Sequence, residues 1–278
     1  MLEFHVNEEK CIRCKKCVDD CPAGCMLMEE GMFPSIPDEE QCFSCQHCLA
    51  ICPTEAISIM GFDPQKSLDI PYNLPTARSM ETLVKGRRSI RRFKKQSVDI
   101  ETIEEILTTA WHAPTGTNAQ AVLFTTTVTA EATAALSKEI FIRLEKMIAE
   151  LDDSEDSLPY QYMRLAHELY TEKGIDIILR GAPHIVIASA PRSVPLPKED
   201  CIIALTTFEL LAVSNGLGTL WDGMLTWCLK DFFPELAQRL GVPEDHQIGY
   251  AMLFGNPAVT YERTVQRVPA TMNFVTSF

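Results

Sequence analysis

Eight cysteines between residues 11 and 52 constrain this chain more than any other feature. They stand as Cys11-x2-Cys14-x2-Cys17-x3-Cys21-Pro22 and again as Cys42-x2-Cys45-x2-Cys48-x3-Cys52-Pro53. Adding 31 to each position of the first run gives the second with no insertion, so the segment is an internal repeat. The same shift carries Met26 onto Ile57 and Met28 onto Ile59, the apolar positions that a duplicated core requires. Soft thiolates at these short spacings wrap one face of a cubic iron–sulfur cluster, and the proline after the fourth turns the chain away. The competing readings are zinc and disulfides. Zinc ribbons use two separated Cys-x2-Cys pairs and have no need of a third cysteine two residues on. Thiolates kept for iron imply a reducing compartment, which places the protein in the cytoplasm.

The run resembles that of the bacterial two-cluster ferredoxins, in which the fourth cysteine of each set ligates the other cluster. The resemblance implies one [4Fe–4S] site from Cys11, Cys14, Cys17 and Cys52, and a second from Cys42, Cys45, Cys48 and Cys21. The repeat maps Cys25 onto Ala56, which gives the ninth cysteine a packing position. Cys201 and Cys228 lie in apolar surroundings and read as buried spacers. His47, which takes the place of Lys16 in the repeat, reads as a surface residue able to tune a cluster through a hydrogen bond.

The net charge of −13 is unevenly spread. Residues 1–60 carry 4 Lys/Arg and 11 Asp/Glu, for −7, and the rest carry 21 and 27, for −6. An acidic cluster domain suits docking to basic redox partners and speaks against nucleic acid. No apolar run reaches 18 residues, so no membrane span is expected. The first residues lack the basic start and apolar centre of a signal peptide.

The length allows two domains. Residues 1–60 form the cluster domain, with short strands expected over 23–33 and 54–60. Gly61, Pro64, Pro71 and Pro75 among polar residues mark 61–78 as a linker, and 79–278 as the second domain. There, helices are expected over 82–88, 99–113 with Asp99 as cap, 131–150, a further stretch to about 179, 199–215 closed by Gly216, and 232–240. Strands are expected over 121–129, 184–190, 218–222 and 247–254, and an acidic mobile loop over 152–157. The fold class is α+β, a mixed sheet surrounded by helices. The 201–213 helix is more apolar than one small domain needs, which points to a partner subunit.

Between Lys85 and Lys95 there are seven basic residues and no acidic one. Guanidinium forks at that density suit phosphate. The stretch Arg87-Arg88-Ser89-Ile90-Arg91-Arg92-Phe93, the loop Ala113-Pro114-Thr115-Gly116-Thr117-Asn118-Ala119-Gln120 and the run Gly216-Leu217-Gly218-Thr219-Leu220-Trp221-Asp222-Gly223 together resemble the nitroreductase family of FMN enzymes. The ending Gly255-Asn256-Pro257 with Arg263 and Arg267 is similar to that family's Gly-x-Pro…Arg. The loop departs from the family where Ala121-Val122 stand in place of Pro-Trp. With the cluster module in front, the chain resembles ferredoxin-domain-containing nitroreductases.

The resemblance implies a flavin site. Arg87, Arg88, Ser89 and Arg91 would contact the flavin and its phosphate, and Pro114, Thr115, Gly116 and Asn118 the flavin of a neighbouring subunit. Leu220, Trp221, Asp222 and Gly223 would lie along the ring edge, and Arg263 or Arg267 would close on the phosphate. It further implies a homodimer and a small electron-poor oxidant. Simple members of the family take hydride from NAD(P)H, but the attached cluster module leads us to expect an external low-potential donor such as a ferredoxin or flavodoxin. Two other classes stay open. One is an electron-transfer iron–sulfur flavoprotein that serves a partner protein and has no substrate of its own. The other is a flavin- or redox-sensing regulator, which would need an output surface and shows no DNA-reading motif. No residue stands out as a catalytic acid, and no G-x-G-x-x-G or P-loop is present.

Overall fold

The structure is a computed structural model that describes residues 2–152 and 155–278. The chain divides into two compact units, residues 1–75 and 76–278.

In the first unit the sequence repeat is also a backbone repeat. Helix α1 (Lys16–Asp19) and helix α2 (His47–Ala50) stand 31 residues apart. Left-handed residues recur at the same shift: Arg13 and Ser44, Lys15 and Gln46, Gly24 and Glu55. Five of these six are not glycine, and such a φ is uncommon outside glycine, so the cysteine loops are held against local preference. Strand β1 (His5–Val6) pairs antiparallel with β2 (Ile57–Ser58), closing the repeat into one small core around Met26, Leu49, Ile57 and Ile59. The strand expected over 23–33 reduces to a single bridge between Leu27 and Ser35. Gly24 and Gly31 are left-handed there and Pro34 follows, which leaves no room for a longer ladder. A single helical turn, α3 (Ile70–Asn73), lies near the end of this unit.

The second unit opens with Thr76, whose hydroxyl caps α4 (Ala77–Gly86) by accepting the Ser79 N–H. Helix α5 (Ile100–Ala110) buries Ile103, Ile106 and Ala110 at three- and four-residue steps. Asp99 occupies its cap position, but its side chain accepts no hydrogen bond. After β3 (Leu123–Thr126) come α6 (Ala130–Glu150) and α7 (Leu158–Lys173). Asp153 and Ser154 of the expected acidic loop lie outside the described residues. Helix α7 ends six residues before the expected 179, because Gly174 adopts φ 66° and terminates it.

Strand β4 (His184–Pro191), helix α8 (Pro197–Ser214), strand β5 (Gly218–Trp221), helix α9 (Gly223–Trp227), a π turn at Cys228–Phe232, helix α10 (Pro234–Arg239) and strand β6 (His246–Gly255) complete the unit. Helix α9 and the π turn had no counterpart in the sequence reading.

The sheet order is β3-β4-β6-β5, and each neighbouring pair of these strands is antiparallel. A parallel bridge from Ser89 to Thr219 on the β5 edge makes the sheet mixed. Alternation along the strands supplies two cores. Ile185, Ile187, Ala251 and Leu253 face a layer built on α6, α7, α9 and α10. Val186, Ala188, Met252 and Phe254 face the layer of α5 and α8. Helix α8 uses Ala204, Leu205, Phe208 and Ala212 within its own unit, while Ile203 and Thr206 are exposed and Ile202, Leu210, Leu211 and Val213 are half-buried.

Candidate functional site

The eight motif cysteines sort into two cavities of the first unit. Cys11, Cys14, Cys17 and Cys52 line one, and Cys21, Cys42, Cys45 and Cys48 line the other. Each holds about 330 Å³ free of protein atoms. The fourth cysteine of each run thus crosses to the other set. Backbone N–H groups donate to the sulfurs: Ala56 to Cys52 Sγ at 3.2 Å and Ser44 to Cys42 Sγ at 3.4 Å. The alternating left-handed residues shape each loop as a nest of inward N–H groups, which favours a bound anion. Burial alone would raise Cys21 and Cys52. For Cys21 the Met26 and Cys25 donors outweigh it, and for Cys52 those of Ala56 and Thr54, so both thiols fall below their ordinary range. Cys17 and Cys48, deeper and on α1 and α2, are pushed up by the same burial, Cys48 to about 11. Among the described residues no three His, Cys, Asp or Glu side chains are placed to hold a single ion. Four thiols spread around a volume of this size fit an anionic iron–sulfur cluster. His47 is exposed and its Nδ1 lies 3.2 Å from Asp20 Oδ2.

In the second unit the basic segment lies along the β5 and β6 end of the sheet. The Ile90 N–H donates to the Thr219 carbonyl at 2.8 Å, the Lys94 N–H to Asn256 at 2.8 Å and the Ala258 N–H to Arg92 at 2.9 Å. Gly218 is what permits this approach, since a Cβ there would stand 2.6 Å from Ile90 Cγ1. The first and third motifs and the Gly255–Pro257 turn are thereby one continuous edge. Arg87 and Arg88 line a concavity with Arg267, and Arg263 is not part of it. Arg87 Nη1 donates to Glu209 Oε1 at 3.3 Å, and Thr219 Oγ1 donates to the same oxygen at 3.2 Å. Arg88 donates to the carbonyls of Arg87 and Lys85 at the end of α4, while its buried Nε has no acceptor among the described residues. A buried donor left open beside two other guanidinium groups fits an anionic group such as a phosphate. Arg91 is exposed and donates to the Ser89 carbonyl at 3.3 Å.

The Pro114–Asn118 loop is built separately, against α8. The Gly116 N–H donates to Asp200 Oδ1 at 2.9 Å, and the Gln120 N–H to Thr115 Oγ1 at 3.0 Å. Thr117, Asn118 and Gln120 are left-handed, so the loop is fixed by these bonds and not by local preference.

Leu220 is buried, and Trp221 is half-buried with its ring centroid 5.3 Å from that of Tyr250. Asp222 Oδ1 accepts the Leu225 N–H at 2.9 Å and so caps α9. Its Oδ2 is buried with no partner among the described residues. Burial pushes this carboxyl up to about 7, against the Leu225 N–H and the Arg180 guanidinium. Gly223 follows, close under the Tyr250 hydroxyl. His184, deep in the sheet, accepts the Val98 N–H at Nε2 and donates from Nδ1 to the Thr127 carbonyl, both at 2.8 Å, so it is a structural histidine with its tautomer fixed.

The sequence model of the nitroreductase family matches residues 84–256. The chain belongs to the nitroreductase family. A 4Fe-4S dicluster domain precedes it over residues 10–57. Among solved structures, the nitroreductase with bound FMN from Bacteroides fragilis is 24% identical, with TM-score 0.56, covering 71% of this chain and 100% of its own. The nitroreductase with bound FMN from Desulfitobacterium hafniense is 23% identical, with TM-score 0.55, covering 72% and 100%. An iodotyrosine deiodinase bound to FMN and 3-iodo-L-tyrosine shares the fold at 20% identity and TM-score 0.51, covering 71% and 99%. No curated protein matches the chain in sequence.

Three residues of this nitroreductase-family site were not singled out from the sequence: Glu209, Asp200 and Arg180. Glu209 and Asp200 lie in α8, and each reaches a motif residue 122 or 84 positions away. Polar residues inside so apolar a helix are the one local signal they offered. Arg180 offered none.

Proposed function

We propose that this nitroreductase-family oxidoreductase carries two [4Fe–4S] clusters and FMN, and passes electrons through them to a small electron-poor acceptor such as a nitroaromatic, a quinone or an activated alkene. The observation that carries the reading is that one chain joins two cavities, each lined by four motif cysteines, to a phosphate-suited concavity on a nitroreductase fold. Relatives of that fold from Bacteroides fragilis and Desulfitobacterium hafniense hold FMN. When bound, FMN accepts electrons singly and delivers them in pairs, which joins one-electron carriers to a two-electron reduction.

The chain's own residues have distinct tasks. Cys11, Cys14, Cys17 and Cys52 hold one cluster, and Cys21, Cys42, Cys45 and Cys48 the other. Arg87, Arg88 and Arg267 take the phosphate, with Glu209 holding Arg87 in place. Ser89 and Arg91 sit at the start of the same edge, and Leu220, Trp221, Asp222 and Gly223 border the ring. Pro114, Thr115, Gly116 and Asn118, anchored by Asp200, serve the flavin of a second copy, so the working unit is a homodimer. Arg263 lies outside the phosphate set. The domains act as a cluster module over 1–60, a linker over 61–78 and a flavin module over 79–278, in the cytoplasm.

The test is anaerobic purification with iron, sulfide and flavin counts, followed by stopped-flow oxidation of the reduced protein by a panel of nitroaromatics, quinones and activated alkenes. About eight irons and eight sulfides per chain with one FMN, and rapid flavin oxidation by at least one acceptor class, are expected. Zinc in place of iron sinks the cluster assignment, and a reduced flavin inert to the whole panel sinks the substrate class.

A further inference from the structure

The two halves of the cluster unit are equivalent at every motif cysteine, but only one of them carries a further thiol beside the motif. Four residues after Cys52 stands Ala56, and four residues after Cys21 stands Cys25. Cys25 is buried at 6% exposure, and its Sγ lies 3.7 Å from Cys21 Sγ. It lines the same cavity as Cys21, Cys42, Cys45 and Cys48, so that cavity has five thiols where the other has four. The packing role read from the sequence accounts for its burial. It does not account for a thiol turned to the cavity, since Ala56 fills the matching place without one.

We infer that Cys25 is a reserve ligand of the second cluster, able to replace Cys21. This rests on the two-cluster reading proposed above. In the exchange an Fe–S bond to Cys25 forms as the bond to Cys21 breaks, and the Cys25 proton passes to the released Cys21 sulfur. Electron count and cluster oxidation state are unchanged, so no oxidant or reductant is required. The connecting turn allows the movement. Pro22 and Gly24 are exposed, Gly24 is left-handed with open space where a Cβ would be, and one backbone bond, from the Gly24 N–H to the Cys21 carbonyl at 3.0 Å, spans it. The matching turn after Cys52 offers only the Ala56 methyl. Loss or oxidation of a fourth cysteine is therefore tolerated at one cluster and not at its twin.

The test compares the two halves in the full chain. Wild type, Cys25→Ala, Cys21→Ala, Cys52→Ala and the double variant Cys21→Ala with Cys25→Ala are reconstituted anaerobically. Iron and sulfide are counted, and low-temperature EPR spectra of the dithionite-reduced proteins are recorded. Wild type, Cys25→Ala and Cys21→Ala are each expected to hold about eight irons, with a changed EPR line shape in Cys21→Ala alone. Cys52→Ala and the double variant are expected to lose at least one iron per chain, and irons retained by the first cluster of the double variant report that the unit still folds. Equal iron loss in Cys21→Ala and Cys52→Ala overturns the inference, as does a double variant that keeps all eight. Wild type with markedly fewer than eight irons overturns instead the two-cluster reading on which it rests.

Discussion

At the scale of single residues, buried charges do most to define the site. Arg87 is held by Glu209, whose side chain is 5% exposed, so the guanidinium is positioned by a carboxylate that water does not reach. On the phosphate site proposed above, Arg87→Ala is expected to remove a charge-assisted contact and weaken FMN binding by about 2 kcal/mol, roughly thirty-fold in Kd. It also strands Glu209, so the flavin-free protein is expected to melt earlier, and Arg87→Lys to recover the melting temperature better than the affinity. Arg267→Ala is expected to lower affinity, and Arg263→Ala to leave it unchanged. Flavin titration of the four variants, with thermal melts of the flavin-free Arg87 variants, checks these outcomes, and equal effects at 263 and 267 remove the concavity from the site. Asp222 gives a pH signature. Its folded pKa, raised by burial to about 7 from the ordinary 3.8, means that the folded chain keeps a proton which the unfolded chain has lost. Stability from this group is complete below about 4 and is lost as pH rises to about 7, by at most ~4 kcal/mol. Asp222→Asn keeps the cap acceptor for Leu225 and removes the titration. Thermal melts of flavin-free protein at pH 5 and 8 should therefore show a smaller drop in the variant, and an unchanged drop removes Asp222 as the cause.

Between elements, the decisive contact is the seating of the basic segment on the edge of β5. Gly218 lies under Ile90, and its missing side chain is what lets the Ile90 N–H reach Thr219. Gly218→Ala is expected to cost about 1–3 kcal/mol through overpacking and to weaken FMN binding by displacing Arg87 and Arg88. In an Ile90→Ala background the same change loses its contacts with Cγ1 at 2.6 Å and Cγ2 at 2.9 Å and keeps only the 2.9 Å contact with the Cβ at position 90, so part of its cost should vanish. An additive double-mutant cycle in melting temperature would place the strain elsewhere. The sequence announced the elements that span several turns or a buried strand, because periodicity is strongest there. Helix α5 showed its face through Ile103, Ile106 and Ala110, and β4 through its unbroken apolar run. The end of α7 was misjudged because Ile175, Ile177, Ile178 and Leu179 continue an apolar pattern past Gly174, and the glycine's left-handed turn overrides it. Helix α9 and the π turn are each five residues long, too short for a period to register. Motif residues were legible in the same way, as local strings. Their anchors Glu209 and Asp200 were not, because a hydrogen bond across 122 or 84 residues leaves no trace in local order.

For the whole molecule, the question is how electrons reach the flavin. The two modules are one covalent chain, so the clusters stay at high local concentration at the flavin whatever the external carrier does. The cluster unit is acidic, with −7 over residues 1–60, which steers it toward a basic face on a donor and makes the encounter depend on salt. A nicotinamide donor has no use for such a module, since hydride passes directly between two rings. Reduction is therefore expected to run from a low-potential ferredoxin or flavodoxin to the clusters and then to FMN, with NADH and NADPH slow or inert. Anaerobic stopped-flow on wild type and Cys14→Ser separates the routes, because Cys14 lines the first cavity alone and lies outside the flavin unit. Loss of fast flavin reduction by the protein donor in Cys14→Ser, with FMN content unchanged, is the expected result, and raising ionic strength should slow the wild-type reaction. Equal and fast reduction of both proteins by NADH or NADPH would show that the clusters are not where electrons come in.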